Sequence, residues 1–379
     1  MLGADGKIYQ WGVYEKKGDI CLTIKQRNTT FDLLKGIACL AVVFIHYSFT
    51  GALEIIGVGI NAMCRFAVPI FFGISGYYLS STSYISDESV LRKIRHILKM
   101  ILVSAVFYAV FFLWWNPVYN RGFDLAAYLA EKLTAGRIAK LFLSNDPLVY
   151  SHLWYMLALV YCYVTVLFFF GNGKNSKFFY ILTPFLMLGM ILFQEFAGVF
   201  HIKSGIKLPE STQTVYFFNL YVFRALPFFV FGSFCRMHQE KIRKLRGGIW
   251  LWVALAAVGC VAASAERILL NRSCQFFLGS YLTFFSLMIL AIKFPALHLP
   301  FFCYAGKNLS VYVYILHIAV GKAYDIVAAK FNLWGKLPYV ATRPIVVMAG
   351  SLLAAFLVHS CVTWCSRYLK ERKEKAHIA

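Results

Sequence analysis

The chain has 379 residues, is 60% hydrophobic and only 15% charged, and carries a formal charge of +21. Soluble domains hold about a quarter charged residues, so a chain of mean hydropathy +0.65 takes the bilayer as its solvent and has no room for a large soluble catalytic domain. Its basic excess reads as the flanking charge that orients membrane spans, with no nucleic acid among its partners.

Residues 1–30 mix Lys7, Trp11, Glu15, Lys16, Lys17, Asp19, Lys25 and Arg27 and hold no apolar core of signal-peptide length. They read as a cytoplasmic tail, partly disordered or lying on the membrane surface. Apolar runs of spanning length follow at about 33–51, 58–80, 97–116, 150–170, 178–199, 214–235, 248–264, 274–293, 308–327 and 343–366. The second is interrupted by Arg65 and the seventh is short. The longest connection, 121–149, has room for an amphipathic helix resting on the interface. The expected fold is therefore an all-α polytopic membrane protein of about ten transmembrane helices, with a transmembrane domain at 31–367 and a basic cytoplasmic tail at 368–379. With the N-terminus inside, about 24 basic residues fall on the cytoplasmic side and about 12 on the other, which predicts both termini in the cytoplasm. Ten cysteines are scattered, several inside apolar runs (Cys39, Cys64, Cys162, Cys260), and Cys361 with Cys365 make no metal site alone. No metal is expected.

Ionisable groups at mid-bilayer cost at least about 2.5 kcal/mol each, so they mark pathways, relays or catalysis. His46 lies 11 residues after Lys35, about 16 Å along a helix. His317 lies nine residues past Asn308 in a span running the same way. Arg65 and Arg224 fall a third to halfway along the second and sixth spans. Two imidazoles and two guanidiniums from four helices can thus meet at one depth. Arg65 and Arg224 are either structural cations held by carbonyls and tyrosines or donors to an oxyanion. His317 either joins the site or bonds a backbone carbonyl across helices. His152, at the outer mouth of the fourth span, ranks below these four. The set suits hydroxyl acylation: an imidazole takes the alcohol proton as it attacks, and a fixed donor stabilises the developing oxyanion. A buried polar site of this kind would also serve a transporter.

Six segments resemble the acyltransferase-3 family of bacterial membrane O-acyltransferases. The first span reads FDLLKGIACLAVVFIHYS, with Lys35 where the family has Arg and His46 at its His position. RFAVPIFFGISGYYLS follows the family's Pro–aromatic–Ser-Gly pattern through Pro69, Phe71, Phe72, Ser75 and Gly76. LRKIRHILK supplies Arg92 and Arg95 as its Arg-x-x-Arg pair. SHLWYMLALVY carries His152, Leu153, Trp154 and Tyr155, RALPFFVFG carries Arg224, Pro227 and Phe228, and NLSVYVYILH carries Ser310, Tyr314 and His317.

The resemblance implies a bundle of about ten helices in the bacterial cytoplasmic membrane. It also implies an acyl-CoA donor, commonly acetyl-CoA, and a saccharide or lipid-linked saccharide acceptor. His46 becomes the general base, with Lys35, His317, Arg65 and Arg224 in supporting catalytic roles. Ser75, Arg92 and Arg95 become donor-site residues, the two arginines as a clamp for phosphates or else as ordinary positive-inside anchors. Lys35 keeps the family charge but loses the bidentate fork. The esterase-like domain appended in some members has no counterpart here, which implies direct transfer or a separate acyl-carrying or glycan-assembly partner. Two rivals remain open: a transporter or flippase for a small polar or acylated molecule, and a sensor or assembly subunit whose buried charges only join helices.

Overall fold

The computed structural model describes residues 24–79, 87–119, 124–147, 150–169, 176–197, 199–207 and 214–378, with short backbone stretches between 9 and 20. Those stretches form two short antiparallel ladders, Tyr9–Trp11 with Ile24–Gln26 and Glu15–Lys16 with Asp19–Ile20. The rest of the N-terminal tail lies outside the described residues.

Helix α1 spans Thr29–His46, four residues earlier than its hydropathy suggests. Its start is set by Asn28, whose side chain accepts from the Phe31 amide, and by Thr29, whose amide bonds the Pro295 carbonyl. His46 is consequently the last residue of the helix. The second span is α2 (Glu54–Met63) and α3 (Ala67–Leu79), joined by a tightened turn over Cys64–Phe66, so the interruption expected at Arg65 is real. Helices α4 (Asp87–Tyr119), α7 (Trp154–Phe169) and α8 (Ser176–Gln194) supply the next three. Between α4 and α7 the long connection folds into α5 (Leu125–Lys132) and the amphipathic α6 (Ala135–Ser144).

The sixth predicted span departs most from expectation. It begins on the strand Thr214–Tyr216, paired with Gly205–Lys207 ahead of it, and continues as the one-turn helix α9 (Tyr221–Arg224) and the twelve-residue α10 (Leu226–Met237). Pro227 explains the break: it has no amide to continue the ladder from α9 and serves instead in the first turn of α10. The short α11 (Gln239–Arg243) follows. The seventh span, read as short, is a full 22-residue helix, α12 (Ile249–Leu270), and the eighth, α13 (Leu278–Lys293), has only 16 residues. Helix α14 (Pro300–Tyr304), a π-type turn over Ala305–Leu309 and α15 (Ser310–Lys330) form the ninth, and α16 (Leu337–Ile378) carries the last through the basic tail.

Among the described residues, eight helical segments are long and apolar enough to cross a membrane, and the two shorter apolar helices α10 and α13 stand at the sixth and eighth expected positions. Inside and outside of the bundle differ sharply. In α1 and α7, 61% and 56% of the spanning window is buried, against 17% in α4, α12 and α16. The peripheral helices present Leu102, Val106, Val258, Val261, Leu353 and Val362, which only a hydrocarbon solvent tolerates. Close backbone approach holds the centre: a Cβ on Gly76 of α3 would lie 1.9 Å from the Phe229 carbonyl oxygen of α10. Of the eight spanning segments, the two most buried carry His46 and, in the turn just before α7, His152.

Candidate functional site

The polar centre lies where α1 ends. His46 is open to a cavity of about 300 Å³, lined also by Arg65, His152, Trp154, Arg224 and Gln275. Its ring centre is 5.0 Å from that of His317 and 6.4 Å from that of His152, and these two are 5.4 Å apart. Three imidazoles from three helical segments therefore form one cluster. His152 had seemed interfacial from its place at the mouth of a span, but it is 2% exposed. The turn Ser151–Leu153 ahead of α7 directs it inward, and the Tyr314 hydroxyl donates to its backbone carbonyl.

The three rings are held differently. His317 Nδ1 lies 3.0 Å from the Val313 carbonyl one turn back. A carbonyl only accepts, so the proton is on Nδ1 and the lone pair is on Nε2, which is buried and without a partner. Both nitrogens of His152 are buried without partners as well. His46 alone combines accessibility with contact to the other two.

Arg65 and Arg224 both reach this cavity, but neither has a carboxylate partner among the described residues. Arg65 donates through Nε and Nη2 to Oδ1 of Asn61, at 3.1 and 2.7 Å. Asn61 in turn donates to the Ile45 carbonyl at 2.8 Å, so one amide ties the guanidinium to the backbone next to His46. The guanidinium carbon of Arg224 sits 3.2 Å from the ring centre of Trp154. The mouth of the cavity is covered by the end of α6 and the residues after it, Lys140, Ser144, Asn145 and Asp146. Asp146 is paired with Arg137 at 3.2 Å and Lys140 at 4.0 Å.

A second cavity, of about 760 Å³, opens along the other half of α1. Its walls are Phe71, Ile74, Met100, Leu159, Tyr155 and Tyr314, and its cations are Lys35, Arg92, Lys93 and Lys307, with His96 beside them. Lys307 belongs to the π-type turn before α15. That turn is pressed onto α1, because a Cβ on Gly306 would lie 1.9 Å from the Asp32 carbonyl oxygen. Lys35 lies 3.7 Å from the Asp32 carboxylate, which also receives Arg27 at 2.6 Å. Ser75 lines this cavity and spends its hydroxyl on the Phe71 carbonyl at 2.7 Å.

The two cavities share no lining residue. Between them lies an aromatic layer in which Tyr155 packs edge-on against Tyr314 at 5.5 Å, and His152 against Tyr314 at 5.8 Å. The expected residues thus divide. His46, Arg65 and Arg224 line the smaller cavity, and His317 packs behind His46 without lining it. Lys35, Ser75 and Arg92 lie at the larger one, so Lys35 takes no place among the imidazoles. Arg95 is exposed and lines neither. His152, ranked below the other four from its sequence position, joins the cluster; Asn61, Lys93 and Lys307 carried no sequence signal for these cavities.

The imidazole cluster thus stands at a small polar cavity, and a larger cavity with apolar walls and several cations lies beyond the aromatic layer. The acyltransferase domain of the acyltransferase-3 family matches residues 28–364, and the chain belongs to that family. No curated protein and no solved structure matches it closely.

Proposed function

We propose that this acyltransferase moves an acetyl or similar short acyl group from cytoplasmic acyl-CoA to a hydroxyl of an exported or lipid-linked saccharide, with His46 as general base. The observation that carries the reading is the pair of cavities on opposite sides of the aromatic layer, with His46 and His152 on the smaller cavity's side. The larger cavity suits a donor with a phosphate-rich head and a long apolar arm: cations for the phosphates, aliphatic and aromatic walls for the arm. The smaller one suits a polyhydroxylated acceptor and is the side from which His46 is reached.

In the transfer, the acceptor oxygen attacks the thioester carbonyl carbon while His46 takes the hydroxyl proton. The new C–O bond forms, the C–S bond breaks, and the imidazolium returns the proton to the departing thiolate, leaving an ester and free thiol. His317 and His152 supply a polar, water-poor surround that keeps the His46 ring in place. The thioester reaches His46 past Tyr155 and Tyr314, so a shift of those rings precedes chemistry. On this reading the N-terminus and the larger cavity face the cytoplasm, across a bacterial cell membrane.

The test is transfer of labelled acetyl from acetyl-CoA to membrane glycans by the parent and by His46→Ala at matched protein levels. Label that depends on His46 supports the reading. Equal labelling by both removes His46 as base, and no labelling from any acyl donor, with flux of a polar solute instead, makes the chain a transporter.

A further inference from the structure

We infer that the acceptor carries an anionic oxygen substituent, a carboxylate or a phosphate, which docks on Arg65 and Arg224 and holds a neighbouring hydroxyl at His46. The inference deepens the acyltransferase reading by naming the acceptor's chemical class.

Its ground is charge without counter-charge. A cation enclosed in a bundle is retained only when something compensates it. Asp325 compensates Arg343 with two bonds of 2.8 Å, and Asp32 compensates Arg27. Arg65 and Arg224 have no such partner among the described residues: one rests on a neutral amide, the other on an indole face. Among the described residues the one carboxylate that lines the cavity, Asp146, is already engaged by Arg137 and Lys140. Two guanidiniums therefore reach the same cavity with their charge unspent.

The rest of the cavity is built for a polar guest as well. Asn145 is fully buried, and both its amide oxygen and nitrogen lack partners; Ser144 Oγ, Arg224 Nε and both nitrogens of His152 share that condition. Asn145 is the left-handed cap, φ 54°, that ends α6 at the cavity. A wall of orphaned donors and acceptors is costly unless a ligand completes it. A cavity of about 300 Å³ is small for a ligand site, which fits one charged sugar unit with the rest of the glycan outside. The guanidinium fork distinguishes this site from the lysine-rich larger cavity, because it binds carboxylate and phosphate oxygens in pairs.

The experiment uses purified full-length protein in lipid nanodiscs with labelled acetyl-CoA and matched short oligosaccharides: neutral, uronate-bearing and phosphate-bearing. Calorimetric binding of the same oligosaccharides is measured alongside. The expected result is a kcat/KM at least about tenfold higher for an anionic acceptor than for its neutral counterpart. Arg224→Gln and Arg65→Gln should erase that preference through acceptor KM, while Arg224→Lys retains part of it and donor KM stays put. Which anionic arm wins tells a uronate from a phosphorylated or lipid-linked sugar. Transfer without charge preference, or a preference that survives both glutamine variants, overturns the inference while leaving the acyltransferase reading intact. Absent transfer with arginine-dependent binding of the anionic arm does the reverse. Should a glutamine variant fail to fold, the lysine variant and competition of transfer by free uronate or inorganic phosphate carry the same decision.

Discussion

The two cavities use cations in opposite ways. In the larger one the charges sit on long side chains near the end of the bundle, and Arg92 is loosely paired, 4.0 Å from an equally exposed Glu88. In the smaller one Arg65 is clamped by Asn61 and Arg224 is laid on Trp154, so both forks are fixed before anything binds. Flexible charges attract and loosely grip a head group whose arm does the positioning. Fixed charges orient a small guest at little entropic cost when it arrives. A donor needs only to be delivered; an acceptor hydroxyl has to be aimed.

The largest expected effect tests the boundary between them. His46→Gln keeps a polar side chain but cannot accept the proton in the same way, and should lower kcat by about 10²- to 10⁴-fold. Steady-state kinetics with saturating acceptor measures it, and KM for the donor should be unchanged because the larger cavity is untouched. A donor KM that moved with kcat would mean that the two cavities are one site. Next in size is the combined Arg92→Gln, Lys93→Gln, Lys307→Gln variant. It should raise donor KM about tenfold, with loss of the salt dependence that surface charges confer, and leave acceptor KM alone. Arg95→Gln, added separately, should do nothing measurable, since Arg95 lines neither cavity. A smaller change is expected of Tyr314→Phe, which removes the hydroxyl that donates to the His152 carbonyl. It should cost about 1 kcal/mol of stability in a thermal melt and should affect the two substrates alike, because Tyr314 stands in the wall between them.

How much of this was legible depends on the range of the interaction. Hydropathy located the spans because apolar length is a local sum, and the break at Arg65 showed for the same reason. It misjudged the sixth, where Pro227 and a strand break the helix, and the seventh, where Glu266 and Arg267 end the apolar run before the regular 22-residue helix ends. The gathering of His46, His317, Arg65 and Arg224 was readable from depth, since rise per residue converts sequence spacing into height. Depth is also why Lys35 could not belong with them: 11 residues along one helix separate two cavities. His152 was misplaced because position relative to a span end says nothing of what packs above it, and here α6 and the residues after it do. Asn61 left no trace at all, for its meaning lies in a bond to α1, 16 residues back in the chain.

The subtlest difference between the cavities should be in their response to pH. Glu195, just beyond α8, is 1% exposed, and burial together with the neighbouring Glu266 pushes its carboxyl up to about 8. Glu266 is occupied in accepting the Leu278 and Gly279 amides at the start of α13, so it cannot yield. The folded protein thus keeps a proton on Glu195 that the unfolded chain gives up at an ordinary carboxylate value near 4.5. Stability from this group is fully present below that value and is lost as pH rises through about 8. The loss falls on one side only. Next to Glu195, Gln194 accepts the Gln275 amide at 2.8 Å, and Gln275 donates to Asn219 at 3.0 Å; both Gln275 and Asn219 line the smaller cavity. Acceptor KM should therefore climb above pH 8 while donor KM follows only the donor's own ionisation. Glu195→Gln, which has no proton to lose, should flatten the acceptor profile and the pH dependence of the melting temperature together. An acceptor KM that still climbs in Glu195→Gln would move the titrating group into the site itself.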